Sequence, residues 1–194
     1  MFSSGLHNEL PFPNCYVMKY LLHILSLTLL LGCERKDIFP KSQSPTTPLS
    51  LLPPETQIGW RSFGCLVNGQ AWTPAGNPFG GPVLTCGYMD QRLVISASRS
   101  ATVNGISSLQ RISIVLKKVS QAGRYSLNDS SRFAEYENFN TGCTLSTSIQ
   151  QAGTVELTKL DPVARIASGR FSFTLESAGC GQFIVTDGRF DCPF

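Results

Sequence analysis

The chain has 194 residues, 16 Lys and Arg against 13 Asp and Glu for a net charge of +3, and 42% hydrophobic residues. The charge excess is mild and spread along the chain, which excludes the clustered basic footprint of a nucleic-acid binder, and the apolar content suffices for one packed core. The two histidines, His7 and His23, both precede Cys33, so the chain beyond that cysteine has none. Ser-His-Asp and Cys-His nucleophilic sites, His-ligated zinc or copper, and a histidine pH switch are therefore excluded from that body.

Met1 to Val17 carries no Lys or Arg and holds Glu9, which makes it a poor start for an export signal. Met18-Lys19 opens a better one. Leu21 to Gly32 is a Leu-rich run, shorter than the roughly 20 apolar residues a membrane span needs, but it fits the apolar region of a signal peptide behind a positive charge. We expect translation to begin at Met18, with 1–17 a doubtful extension and 18–32 a signal peptide. The run stops at "LLGC", Leu30 to Cys33, and turns at once into "ERKD". "LLGC" resembles the lipobox of bacterial lipoproteins, in which a diacylglyceryl group is attached to the cysteine and the chain is cut just before it. The resemblance implies lipidation of Cys33 and a membrane anchor of two acyl chains, enough for firm attachment.

From Cys33 to residue 60 the chain is rich in Pro, Ser and Thr, which disfavours regular elements and predicts a tether. The body, 61–194, then reads as short strands. Asn68-Gly69 joins Phe63–Val67 to Gln70–Thr73, and Asn-Gly supplies the two positive-φ positions of a type I′ turn. "VLTCGYM" and "RLVISASR" face each other across Asp90-Gln91. Asn104-Gly105 marks a turn in a polar connection. "QRISIVLKKV" places Ile112, Ile114 and Leu116 on one face and Arg111, Ser113 and Lys117 on the other. Ala122-Gly123 leads into "RYSL", and Asn128 to Thr141 is polar, with a short strand at Phe133–Glu137. "GTVELTKLD" puts Val155 and Leu157 inward, while Leu160 breaks the alternation. "GRFSFTLE" buries Phe171, Phe173 and Leu175, and "QFIVTDGRFD" is a last strand interrupted at Asp187-Gly188. About eight to ten strands, with no helical stripe, predict an all-β antiparallel sandwich or barrel.

Five cysteines follow Cys33: Cys65, Cys86, Cys143, Cys180 and Cys192. No C-x-x-C occurs, so neither a zinc ribbon nor a thioredoxin-type pair is supported. Export favours disulfides, and an odd number leaves a spare thiol. Cys143 and Cys180 flank the two clearest strands and form the first expected pair; Cys65 and Cys86, in neighbouring early strands, form the second.

"FGCLVNGQAW", "GRFSFTL" and "VTDGRFD" are similar to uncharacterised lipoproteins common in Bacteroidetes-type bacteria, grouped as a domain of unknown function, over roughly Ser62 to Asp191. The resemblance implies export to the outer membrane and carries no activity to any residue. In that group acidic residues after the lipidated cysteine favour surface display. Here Arg35 and Lys36 interrupt Glu34 and Asp37, so the periplasmic and the surface-facing orientation both stay open.

Glu135 and Glu137, two apart on a strand, share a face at a separation of about 7 Å, which some glycosidases use. Asp187 and Asp191 converge if the Gly188 break allows. A solvated strand face and a turn aspartate are the plainer readings. "NDSS" at Asn128 to Ser131 lacks the acidic spacing and glycine of a calcium loop and reads as an Asx turn. Lys117-Lys118, with Arg111 and Arg124, reads as a charged edge. Trp72, Phe79 and Tyr88 are candidate contacts for a sugar ring or peptide, against the alternative that Trp72 and Tyr88 are core and Phe79 plugs the end of the sandwich. The expectation is a lipid-anchored outer-membrane binding or interaction module without catalytic activity, cofactor or metal, whose partner is an envelope protein or an extracellular glycan or peptide. The alternatives are a carboxylate-dependent hydrolase of envelope glycans and a lipocalin-like carrier of a small ligand.

Overall fold

The computed structural model describes residues 47–103, 105–147 and 153–194. The signal-like run, the lipobox and Cys33 lie outside these residues. Residues 45–194 form one compact unit. Among the described residues, no helix is long and apolar enough to cross a membrane.

The body is a two-sheet antiparallel sandwich, as the alternating pattern predicts. Strands β1 (Ser62–Val67), β2 (Gln70–Trp72), β6 (Gly123–Leu127), β9 (Gly153–Asp161), β10 (Ile166–Ser177) and β11 (Gly181–Pro193) make a six-stranded sheet in the order β2-β1-β11-β10-β9-β6. Strands β3 (Leu84–Met89), β4 (Arg92–Val103), β5 (Ile106–Leu116), β7 (Arg132–Asn138) and β8 (Cys143–Ser146) make a five-stranded sheet in the order β3-β4-β5-β7-β8. Between them lie Leu93, Ile95, Ile112, Ile114, Leu116, Val155, Leu175 and the ring group Phe63, Phe171, Phe173 and Phe190, all buried. Each apolar side chain of this size contributes about 1.5–3 kcal/mol when fully buried.

The turns follow their local chemistry. Asn68 and Gly69 both have positive φ, 48° and 79°, and close the β1–β2 hairpin. Asp90 and Gln91 do the same without glycine, at 51° and 58°. The polar stretch around Gly105 is no loose connection. It is the tip of a long ribbon in which β4 and β5 pair from Leu93–Leu116 out to Val103–Ile106.

Two bulges explain the irregular alternation. On β9, Lys159 pairs with Ser168 and Leu157 with Gly169, so Thr158 is extra, and Leu160 swings back toward the core. On β11, Asp187 (φ 53°) is the extra residue opposite both neighbours, which moves the inward set from Phe183 and Val185 to Phe190 and Cys192. One added residue flips the facing of everything after it.

Two expectations are corrected. The tether does not extend to residue 60: Pro48–Leu51 is a 3₁₀ turn, Leu52 is buried, and residues 56–60 cross the outer face of the six-stranded sheet over Asp191. That carboxylate accepts hydrogen bonds from the backbone N–H groups of Ile58 (3.0 Å), Gly59 (2.9 Å) and Trp60 (3.1 Å) and from the hydroxyls of Thr56 and Ser168. Proline removes helix and sheet as options, but a chain with few regular partners is still fixed when a buried acceptor satisfies its donors.

The second correction concerns the cysteines. Cys143 and Cys180 are bonded as expected, but Cys86 pairs with Cys192, not with Cys65. Cys65 is the free, buried thiol among the described residues. Cys65 and Cys86 lie in different sheets, and the C-terminal end of β11 brings Cys192 to β3, with the Cys86 and Cys192 Cα atoms 6.2 Å apart. Both bridges tie one sheet to the other, one just before β11 begins and one near its end.

Candidate functional site

The apolar pattern of the interior lapses at one end. Along β4 the inward positions run Leu93, Ile95, Ala97 and then Arg99 and Ala101; along β5 they run Leu116, Ile114, Ile112 and then Gln110 and Ser108. Small and polar side chains replace large apolar ones where the β4–β5 ribbon outruns its neighbours. The opposite wall is the β1–β2 hairpin, with Val67, Asn68, Gln70, Ala71 and Trp72. Between them is an open cavity of about 530 Å³, hereafter the mouth. Tyr136 of β7 and Phe183 of β11 form its floor, stacked with ring centroids 3.8 Å apart. The Cys143–Cys180 bridge fixes the nearby β10–β11 turn to β8.

The polar groups of the mouth divide into committed and available ones. Trp72 Nε1 donates to Gln110 Oε1 at 2.7 Å, and Gln110 Nε2 donates to Ser108 Oγ at 2.8 Å. Asn68 Oδ1 accepts from the Ile184 amide at 2.8 Å, and its Nδ2 donates to the Gln182 carbonyl. These groups hold the walls. Among the described residues, Arg99 donates through Nη1 alone, to the Ala71 carbonyl oxygen at 3.4 Å. Burial pushes the Tyr136 phenol up, so it stays neutral at physiological pH. Among the described residues, no Asp or Glu lines the cavity.

The residues singled out from sequence fall in separate places. Trp72 is buried and forms a wall of the mouth. Tyr88 lies at the other end of the sandwich, away from the mouth, where its hydroxyl donates to the Val119 carbonyl (2.8 Å) and its ring packs on Phe194. Phe79 is half-exposed and does not plug the sandwich. It meets Phe139 edge to face (5.3 Å), and the Arg111 guanidinium sits over both rings.

Glu135 and Glu137 share the outer face of β7, since the strand's other face carries buried Ala134 and Tyr136. Arg111 grips Glu137 through Nε (2.6 Å) and Nη2 (2.5 Å). Partial burial, with Glu137 beside it, raises the Glu135 pKa. Asp187 and Asp191 do not form an acid pair. Asp191 is buried and saturated, whereas Asp187 is exposed at the bulge, beside a groove lined by Arg124, Arg170 and Arg189 with Glu55 and Glu156. Asp129 accepts from the Ser131 and Arg132 amides, the expected Asx turn. Sequence reasoning missed Arg99, Gln110, Tyr136 and Phe183; the continuing alternation of β4 and β5 past Ala97 and Ile112 was the signal that places the first two inward.

Fold and site together define a disulfide-linked antiparallel sandwich with an open cavity at one end. The chain belongs to the family of a domain of unknown function, DUF6252, whose model matches residues 89–191. The match begins later than the Ser62–Asp191 span expected from the motifs: it includes Arg99, Tyr136 and Phe183 and leaves out the β1–β2 wall. No curated protein and no solved structure was found to match the chain.

Proposed function

We propose that this chain is a lipid-anchored protein of the bacterial outer membrane whose body binds a small ligand in the mouth, without catalysing a reaction. The cavity carries this reading: its volume lies within the ~300–1,000 Å³ of small-molecule sites, and an aromatic floor with few available polar groups is their usual lining. The anchor rests on the "LLGC" sequence and the tether after Cys33. The binding role rests on the mouth alone. A glycan hydrolase draws less support, because Arg111 holds Glu137 and neither Glu135 nor Glu137 lines the mouth or the groove described above.

Native mass spectrometry of the protein purified from its own cells tests the binding role. The wild type should carry a small-molecule adduct, and Ala101→Trp, which fills the cavity from β4, should lose it. An adduct retained by Ala101→Trp would place the ligand elsewhere. For the anchor, Cys33→Ser should abolish incorporation of a labelled fatty acid; undiminished labelling would refute it.

A further inference from the structure

The chemistry of the mouth goes further than its size. Resting on the reading of the mouth as the ligand site, we infer that it takes a small amphipathic monoanion, a carboxylate on an apolar body, and that Arg99 binds the carboxylate. Arg99 is a permanent cation with five N–H donors in a planar fork. In the mouth it spends one of them, on a carbonyl at the long end of hydrogen-bond distance.

Among the described residues, two arginines are ion-paired, Arg111 with Glu137 and Arg170 with Glu55 and Glu156. Among the described residues, Arg99 has no such partner and no carboxylate lines its cavity. A guanidinium set beside ring surface in a cavity of mixed lining gains from an oxyanion brought by the ligand, because a fork-to-carboxylate contact makes two parallel charge-assisted bonds.

The rest of the lining sets the remainder of the ligand. Tyr136, Phe183 and Trp72 offer ring surface, and Ala71 and Ala101 leave room over it. Gln110 and Asn68 are already engaged with protein groups, so the ligand meets few polar demands beyond Arg99 and Gln70. With a single cation in the lining, a monoanion is neutralised, while a phosphate monoester would bring a second charge that no lining cation offsets.

The test is calorimetric titration of the purified protein with matched probes: 2-naphthoate and decanoate against their uncharged amides. The wild type should bind at least one acid roughly tenfold or more tightly than its amide, and that preference should shrink as salt screens the charge. Arg99→Gln should bind acid and amide alike, Arg99→Lys should keep part of the preference, and Ala101→Trp should bind neither. Equal wild-type affinity for acid and amide, or no binding of either acid, overturns the carboxylate inference. A preference that survives Arg99→Gln overturns the role of Arg99. If Ala101→Trp still binds the probes as the wild type does, the mouth itself is not the site, which is a separate failure.

Discussion

Arg99 on β4 donates to the carbonyl oxygen of Ala71 on β2, 3.4 Å away, and so links the two sheets across the cavity they enclose. Beside it, Trp72 and Gln110 make a second link between the sheets at 2.7 Å. The cavity wall is thus a polar seam over an aromatic floor, and its members differ in what they do: Gln110 holds the wall, while Arg99 has donors to spare.

That division makes a first prediction. Gln110→Leu removes the acceptor of a buried indole N–H, and stranding such a donor costs about 1–3 kcal/mol. Arg99→Gln strands no buried group and should cost less than about 1 kcal/mol. Urea denaturation of both variants checks the order; a larger loss for Arg99→Gln would show that Arg99 is chiefly a structural tie.

The Asp191 carboxylate carries the pH dependence. Burial alone raises its pKa, but hydrogen bonds from Thr56, Ser168, Trp60 and Gly59 outweigh that and hold it at about 2. Its folded pKa lies below the unfolded value, so the stabilisation is full above about pH 4 and fades as pH falls toward 2. The contribution is about 2 kcal/mol. Unfolding free energy measured from pH 6 to pH 2 should fall accordingly, and in Asp191→Asn, already destabilised at neutral pH, this component of the slope should be gone.

The cysteines separate by chemistry. Burial pushes the Cys65 thiol up to about 12, so it is a poor nucleophile in the folded state. Maleimide should label the Cys65 peptide only in denaturant, while non-reducing digestion yields the Cys86–Cys192 and Cys143–Cys180 peptides. The bridges span 106 and 37 residues, for which chain entropy assigns about 5 and about 4 kcal/mol respectively. Cys86→Ala should therefore lower stability by a similar amount.

Gly169 and Gly87 make a contrasting pair. A Cβ on Gly169 would stand 2.4 Å from the Glu156 carbonyl oxygen and 3.0 Å from the Phe190 ring, whereas one on Gly87 would meet nothing within 4 Å. Gly169→Ala should cost about 1–3 kcal/mol through overpacking, and Gly87→Ala should be neutral or stabilise by up to about 1 kcal/mol by reducing unfolded-chain entropy. Thermal melts of the two variants decide it.

These elements also mark what was legible in the sequence. Ile112, Ile114 and Leu116, and Phe171, Phe173 and Leu175, declare themselves because a period of two with large apolar residues has no competing reading. Asp187-Gly188 announces an interruption, and the bulge is its form. The four residues of β8, Cys143–Ser146, give too short a pattern to register. The segment before β1 is fixed by Asp191, as much as 135 residues away, a non-local cause that its prolines cannot signal. The candidate site hid for a related reason. Arg99 and Gln110 stand at the ends of the strands read as RLVISASR and QRISIVLKKV, and Ala101 and Ser108 between them read as a polar connection, because an inward-facing polar strand looks like a loop until its partner strand is placed.

The central claim is that the mouth is where this protein meets its ligand, and Trp72 in its wall reports on that directly. The chain has two tryptophans, and Trp60 is exposed on the segment before β1, so Trp60→Phe leaves Trp72 as the single indole. Titrating that variant with decanoate and following Trp72 emission should give a saturable change, absent when Ala101→Phe, a block that adds no second indole, is combined with Trp60→Phe. Unaltered Trp72 emission at ligand concentrations where calorimetry registers binding would contradict the account.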